Sequence, residues 1–229
     1  MNLVEVRDLI IGYSKSPVAH NINFKIDEGD ILCILGENGA GKTTLIKTIL
    51  GVIKPLGGEL LLSEDIKEHR FGYLPQKSEN QDDFPAIARE IVLSGCINRK
   101  KFKLFFNKED KEIAKKNMEL LGISHLADKP FNILSGGQKQ RVLIARSLCA
   151  TEKILFLDEP LTGLDPKIVE DFYHVVEMLH NEGITIVMIS HELKTSLRLA
   201  SHVLYIGEHC VYSTKDEFIN SEVGKRFLE

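Results

Sequence analysis

Eight consecutive residues carry the most specific chemistry of this chain. Gly36-Glu37-Asn38-Gly39-Ala40-Gly41-Lys42-Thr43 fits the spacing G-x-x-x-x-G-K-[ST]. Glycines at this density let the backbone approach an anion and turn its N–H groups inward. A helix opening at Lys42 adds unpaired N–H donors and the positive end of its dipole. Lys42 can reach the β- and γ-phosphates of a nucleotide, and the Thr43 hydroxyl can ligate Mg²⁺. The pattern predicts a polyphosphate site spread over Gly36, Glu37, Asn38, Gly39, Ala40, Gly41, Lys42, Thr43 and Thr44. The alternative on this segment alone is a glycine-rich strand–helix turn that binds nothing.

Other places carry groups able to act on such a ligand. Leu134-Ser135-Gly136-Gly137-Gln138 precedes a helix expected at 139–150, whose apolar positions are Val142, Leu143, Ala145, Leu148 and Cys149. Ser135 is a candidate N-cap, and the N–H groups of the residues after it make a second anion site. Taken alone, an ordinary capped helix is the simpler reading. Asp158-Glu159-Pro160 ends the apolar run 154–157, ILFL. Asp158 would hold Mg²⁺ through its water shell, and Glu159 could orient or deprotonate a water. Two carboxylates capping the next helix are the alternative there. Gln76 follows the short run 71–74, and His191 follows the apolar run 183–189. Tyr13 closes an N-terminal strand just before a loop expected at 14–20. An exposed aromatic there could stack on a nucleotide base. Position alone favours a tyrosine that caps the core.

The elements that must position these groups are legible as periodicity. Residues 31–35, ILCIL, form an unbroken β-branched run suited to a strand buried on both faces, as are 154–157 and 183–189. The chemically able residues 36–43, 76, 158–159 and 191 all stand at the carboxyl ends of such runs. That is where ligands bind in parallel α/β sheets. Before them, 3–13 and 21–26 alternate as two strands with no helix between, which predicts an antiparallel portion. Residues 77–127 change character and read as all-helical. One helix is expected over 86–96 and a charged one over 107–121, with Ile113, Leu120 and Leu121 on its apolar side. Within this stretch, 99–106 (RKKFKLFF) is basic and aromatic together. It suits contact with lipid headgroups or a membrane partner, or else a surface segment with its phenylalanines turned inward. The tail carries two short strands and a final helix from Lys215. His202, His209 and Cys210 fit no metal-site spacing.

Length and composition bound these readings. The chain has 229 residues, a formal net charge of −4, 43% hydrophobic and 27% charged residues, which suits one sizeable core. No apolar run approaches the ~20 residues of a membrane span, and the first residues have no signal-peptide layout. A mildly acidic chain has no global electrostatic reason to bind nucleic acid. Cys33, Cys96, Cys149 and Cys210 stand far apart and read as reduced cytosolic thiols.

At these residues the chain resembles the ATP-binding subunits of ABC transporters over its whole length. Leu134-Ser135-Gly136-Gly137-Gln138 matches that family's signature motif, and it combines with the P-loop and with Leu155-Phe156-Leu157-Asp158-Glu159-Pro160. Gln76 matches the Q-loop, Leu164-Asp165 the D-loop and His191 the switch histidine. Tyr13 falls at the adenine-stacking aromatic, which reverses its reading from position alone. The stretch Thr162-Gly163-Leu164-Asp165 is an ordinary D-loop variant.

The resemblance implies a single domain over 1–229. Its fold is an α/β P-loop NTPase core (1–76 and 128–229) with a mainly parallel sheet, an N-terminal antiparallel β portion and an all-helical insert at about 77–127. It implies ATP and Mg²⁺ as ligands, with Thr43, Gln76 and Asp158 positioning the metal, Glu159 as general base, and Lys42 and His191 on the phosphates. Two subunits pair head to tail, so that the P-loop of one and Ser135, Gly136, Gly137 and Gln138 of the other enclose one ATP. An integral membrane permease, a solute-binding protein reached through it, and a cytoplasmic location on the inner membrane face are implied as well. More narrowly, Tyr73-Leu74-Pro75-Gln76, Asp83-Phe84-Pro85-Ala86, the stretch 89–95 and Leu104-Phe105-Phe106 to Glu109 look like the zinc and manganese uptake ATPases. Siderophore and cobalamin importers are close relatives of these. A soluble ABC-type assembly ATPase is the rival of a different class.

Overall fold

The computed structural model describes residues 1–64, 66, 71–76, 85–99, 105–161, 165–190 and 193–228. Three strands, β1 (Asn2–Tyr13), β2 (Ser16–Asp27) and β4 (Gly57–Leu62), form an antiparallel sheet in the order β2-β1-β4. A six-stranded sheet runs β5-β6-β7-β3-β8-β9. Its strands are β3 (Ile31–Gly36), β5 (Gly72–Leu74), β6 (Ile154–Asp158), β7 (Thr185–Ile189), β8 (His202–Ile206) and β9 (Val211–Thr214). The first five in that order are parallel, and β9 closes the edge antiparallel to β8.

The unbroken apolar runs have a direct cause: the parallel sheet separates two cores. Alternate residues of β3 go to opposite sides, Ile31, Cys33 and Leu35 to one and Leu32 and Ile34 to the other. β6 divides in the same way, with Leu155 and Leu157 against Ile154 and Phe156. One core lies between this sheet, the antiparallel sheet and helix α1 (Lys42–Ile49), which contributes Leu45, Ile46 and Ile49. The other lies under the remaining helices: α2 (Ala88–Ser94), α3 (Lys108–Leu120), α4 (Gly136–Leu148), α5 (Pro166–Asn181), α6 (Leu193–Leu199), α7 (Lys215–Asn220) and α8 (Glu222–Leu228). Each fully buried Leu, Ile or Val contributes on the order of 1.5–3 kcal/mol. A strand with both faces covered therefore tolerates polar groups only at its ends.

Two expectations change. The loop expected at 14–20 is a tight turn, because β2 already pairs at Ser16 with Tyr13. Alternation fails before residue 21 since Asn21 has a left-handed φ of 54° and the register slips between Leu9↔Ile22 and Ile11↔Ala19, a bulge. In α3 the buried positions are Asp110, Ala114 and Met118, with Leu121 at the C-cap, while Ile113 and Leu120 are only partly covered. Asp110 is buried because it closes a capping box: its carboxylate accepts from Asn107 N at 2.7 Å, and Asn107 Oδ1 accepts from Asp110 N at 2.9 Å.

Residues 87–88 pair through their backbone with 129–130. Ile87 bridges Pro130, and Ala88 N donates to Lys129 O at 3.0 Å. The readings placed on 77–84, 100–104 and 162–164, which include Asp83, Phe84, Leu104 and Leu164, lie outside the described residues, as does most of 63–70.

Candidate functional site: a row of strand ends

The sheet order explains how residues far apart in sequence meet. β5, β6, β7 and β3 are successive neighbours, so their carboxyl ends stand in a row. That row presents Gln76 beyond β5, Asp158 and Glu159 at β6, Ser190 at β7 and the glycine loop at β3. His191 lies outside the described residues.

The loop between β3 and α1 is backbone-built. Gly36 has φ 150°, and a Cβ on it would stand 2.4 Å from the carbonyl oxygen of Ile206 on the next strand. Gly41 caps α1 with φ 103° and supplies no side-chain cap. By contrast α3, α4, α5 and α7 are capped by Asn107, Ser135, Asp165 and Thr214. The first N–H groups of α1 are thus not taken up by a side chain at the N-cap, which suits an anion. Ala40 N closes a turn on Glu37 O at 3.2 Å, while Glu37, Asn38 and Gly39 are exposed. Gly36→Ala is expected to lower stability by about 3 kcal/mol or more, because strain and backbone clash coincide. A urea unfolding midpoint no lower than that of the parent protein would contradict this.

Lys42 is 5% exposed, and its ammonium donates to Gly36 O at 2.8 Å and Glu37 O at 3.0 Å. Burial lowers its pKa, and the charges of Glu159 and Asp158 oppose that shift. Thr43 Oγ1 donates to Asp158 Oδ1 at 3.0 Å. Asp158 is fully buried. Burial raises its pKa, hydrogen bonds from Thr43 and Tyr73 lower it, the charge of Glu159 raises it, and Lys47 lowers it. Gln76 Nε2 donates to Glu159 Oε2 at 2.8 Å. Glu159 has a left-handed φ of 46°, with its N–H donating to Ile189 O at 3.2 Å. Such a backbone in a non-glycine residue costs on the order of 1–3 kcal/mol, and functional sites are where it concentrates.

Tyr13 is 52% exposed, so it does not cap the core, and Thr44 Oγ1 reaches its hydroxyl at 3.4 Å. Ser135 caps α4 in a full capping box: Gln138 N donates to Ser135 Oγ at 3.4 Å and Ser135 N to Gln138 Oε1 at 3.1 Å. Ser135, Gly137 and Gln138 line a cleft of about 240 Å³ with Ile168, Asp171 and Phe172 of α5, and no residue of the glycine loop lines it. Gly136 is exposed beside them. The structure therefore gathers Lys42, Thr43, Gln76, Asp158 and Glu159 and leaves the second glycine-bearing helix start at a separate place. Sequence reasoning missed the site contact of Tyr73, whose hydroxyl donates to Asp158 Oδ2 at 3.1 Å. A tyrosine three residues before Gln76 was the available signal.

Comparison with known proteins gives the family. The family model described as ABC transporter matches residues 19–162, and an AAA-domain model (putative AbiEii toxin, Type IV TA system) matches 130–196. The manganese transport system ATP-binding protein MntB of Bacillus subtilis is 36% identical over 196 residues, covering 84% of this chain and 78% of that protein. The zinc transport system ATP-binding protein AdcC of Streptococcus pneumoniae is 38% identical over 197 residues, covering 84% of each. A solved inward-facing ABC transporter described as of metal-chelate type superposes with a TM-score of 0.87 at 26% identity, over 100% of this chain and 89% of that one. With a matching family model that spans the loop at 36–43 and the carboxylates at 158–159, and relatives of this identity and coverage, the chain belongs to the ABC transporter ATP-binding family.

Proposed function

We propose that this chain is the ATP-binding and hydrolysing subunit of an ABC importer that drives uptake of a divalent metal ion, zinc or manganese, through a separate membrane permease. The observation that carries the reading is the contact row Thr43–Asp158 and Glu159–Gln76 beside Lys42, at the carboxyl ends of adjacent strands. The names of the zinc and manganese relatives support the choice of cargo.

In this reading Lys42 and the loop N–H groups bind the phosphates and neutralise charge that develops on them. Glu159, oriented by Gln76, accepts a proton from the attacking water. Tyr13 supplies a ring face for the base. His191 contacts the γ-phosphate. The donors at the metal position are oxygens: the Thr43 hydroxyl and the Asp158 carboxylate at 3.0 Å, with the Gln76 amide nearby in the row. Hard oxygen donors with a buried carboxylate fit Mg²⁺. When bound there, Mg²⁺ would supply charge neutralisation at the phosphates.

Two copies pair head to tail, because one chain does not bring its own Ser135 cleft to its own glycine loop. The partner subunit's Ser135, Gly136, Gly137 and Gln138 then close the nucleotide. No described helix is long and apolar enough to cross a membrane. In this reading the permease is a separate chain, and a solute-binding protein delivers cargo to it. The insert reading, helices at about 77–127 joined to a core of 1–76 and 128–229, belongs to the same proposal. The test is co-purification from detergent-solubilised native membranes together with cellular zinc and manganese content. The chain is expected to bring down an integral membrane protein, and its deletion to lower accumulation of one of the two metals. A chain that binds cytosolic partners alone and leaves both metals unchanged would overturn the transport reading.

A further inference from the structure

Asp158 has two carboxylate oxygens, and the structure gives each a different hydroxyl. Oδ1 accepts from Thr43 of the glycine loop at 3.0 Å, and Oδ2 accepts from Tyr73 of β5 at 3.1 Å. The terminal torsion of an aspartate is broad and roughly two-fold. A carboxylate held at one oxygen swings; held at both, it has one orientation.

Tyr73 is built for that second bond. It pairs with Phe156 across β5 and β6, and Phe156 and Asp158, two residues apart, point to the same face of β6. Its backbone is fixed from the other side: Ser147 Oγ on α4 reaches Tyr73 O at 3.0 Å. The approach is close enough that a Cβ on Gly72 would stand 2.8 Å from Ser147 O and 2.7 Å from Thr151 Cγ2. Three residues after Tyr73, Gln76 holds Glu159. The one segment 73–76 thus bonds both carboxylates.

We propose that Tyr73 is a positioning residue of the metal site, whose hydroxyl pins Asp158 Oδ2 and thereby fixes the carboxylate edge shared with Thr43. The proposal rests on the reading of Thr43 and Asp158 as the Mg²⁺ position. Partners that orient a metal-binding side chain are typically worth about 10–100-fold in metal affinity. Tyr73→Phe removes the hydroxyl and keeps the ring.

The test measures ATP affinity of the full chain by calorimetry, in EDTA and at graded Mg²⁺, for the parent, Tyr73→Phe and Asp158→Asn. Tyr73→Phe is expected to bind ATP in EDTA within about twofold of the parent and to need about tenfold more Mg²⁺ to reach half of its metal-dependent gain. Asp158→Asn is expected to lose more of that gain. If Asp158→Asn shifts the Mg²⁺ dependence and Tyr73→Phe does not, the proposal fails while the metal-site reading stands. If neither shifts it, the metal-site reading fails and this proposal with it. Weaker ATP binding by Tyr73→Phe in EDTA, with unchanged Mg²⁺ dependence, would show a structural role and also overturn it.

Discussion

Glu159→Gln is expected to slow ATP hydrolysis by at least about a hundredfold while ATP stays bound, the range that loss of a positioned general base produces. The amide keeps the shape of the side chain and removes its basicity. The contact with Gln76 is retained in kind, since Gln76 Nε2 donates and an amide oxygen still accepts. Lys42, Thr43 and Asp158 are untouched, so binding persists. Steady-state hydrolysis and nucleotide affinity measured on the same preparation check both halves. Hydrolysis at the parent rate would remove Glu159 from the mechanism.

Lys42→Ala is expected to weaken ATP binding by roughly ten- to a hundredfold, the equivalent of about 1.5–3 kcal/mol for a hydrogen bond to a charged group. Two losses act together. The one full positive charge placed by the motif against the β- and γ-phosphates disappears. The two bonds from its ammonium to Gly36 O and Glu37 O, which tie the loop to the first turn of α1, disappear too. Equilibrium titration with ATP reads the effect. Unchanged affinity would mean that the loop at 36–43 is not the phosphate site.

Much of this arrangement is legible in the chain itself, for reasons that lie in particular residues. ILCIL and ILFL read as strands because β3 and β6 are covered on both faces and admit no polar residue before their ends. The start of α4 is readable because Ser135 and Gln138 stand three apart, the spacing of a capping box. The row of functional strand ends needs one thing periodicity does not carry, the order β5-β6-β7-β3. Without it Tyr73 and Asp158 are 85 positions apart with no reason to meet. The first residues of β2 were hidden by the bulge at Asn21, which breaks the alternation. In α3, Ile113, Leu120 and Leu121 do pack against the core, but the burial of Asp110 is not legible because an aspartate is not expected inside, and its capping bonds to Asn107 help make it tolerable there.

The two glycine-bearing helix starts of one chain lie apart, so a shared nucleotide requires a second chain. Sedimentation velocity of Glu159→Gln with ATP and Mg²⁺, with ADP and Mg²⁺, and without nucleotide tests that requirement directly. Slow hydrolysis keeps ATP in place long enough for both subunits to be seen on it. A monomer is expected without nucleotide and with ADP, and a dimer with ATP and Mg²⁺. A variant saturated with ATP and Mg²⁺ that still sediments as a monomer would contradict a nucleotide site shared between two chains.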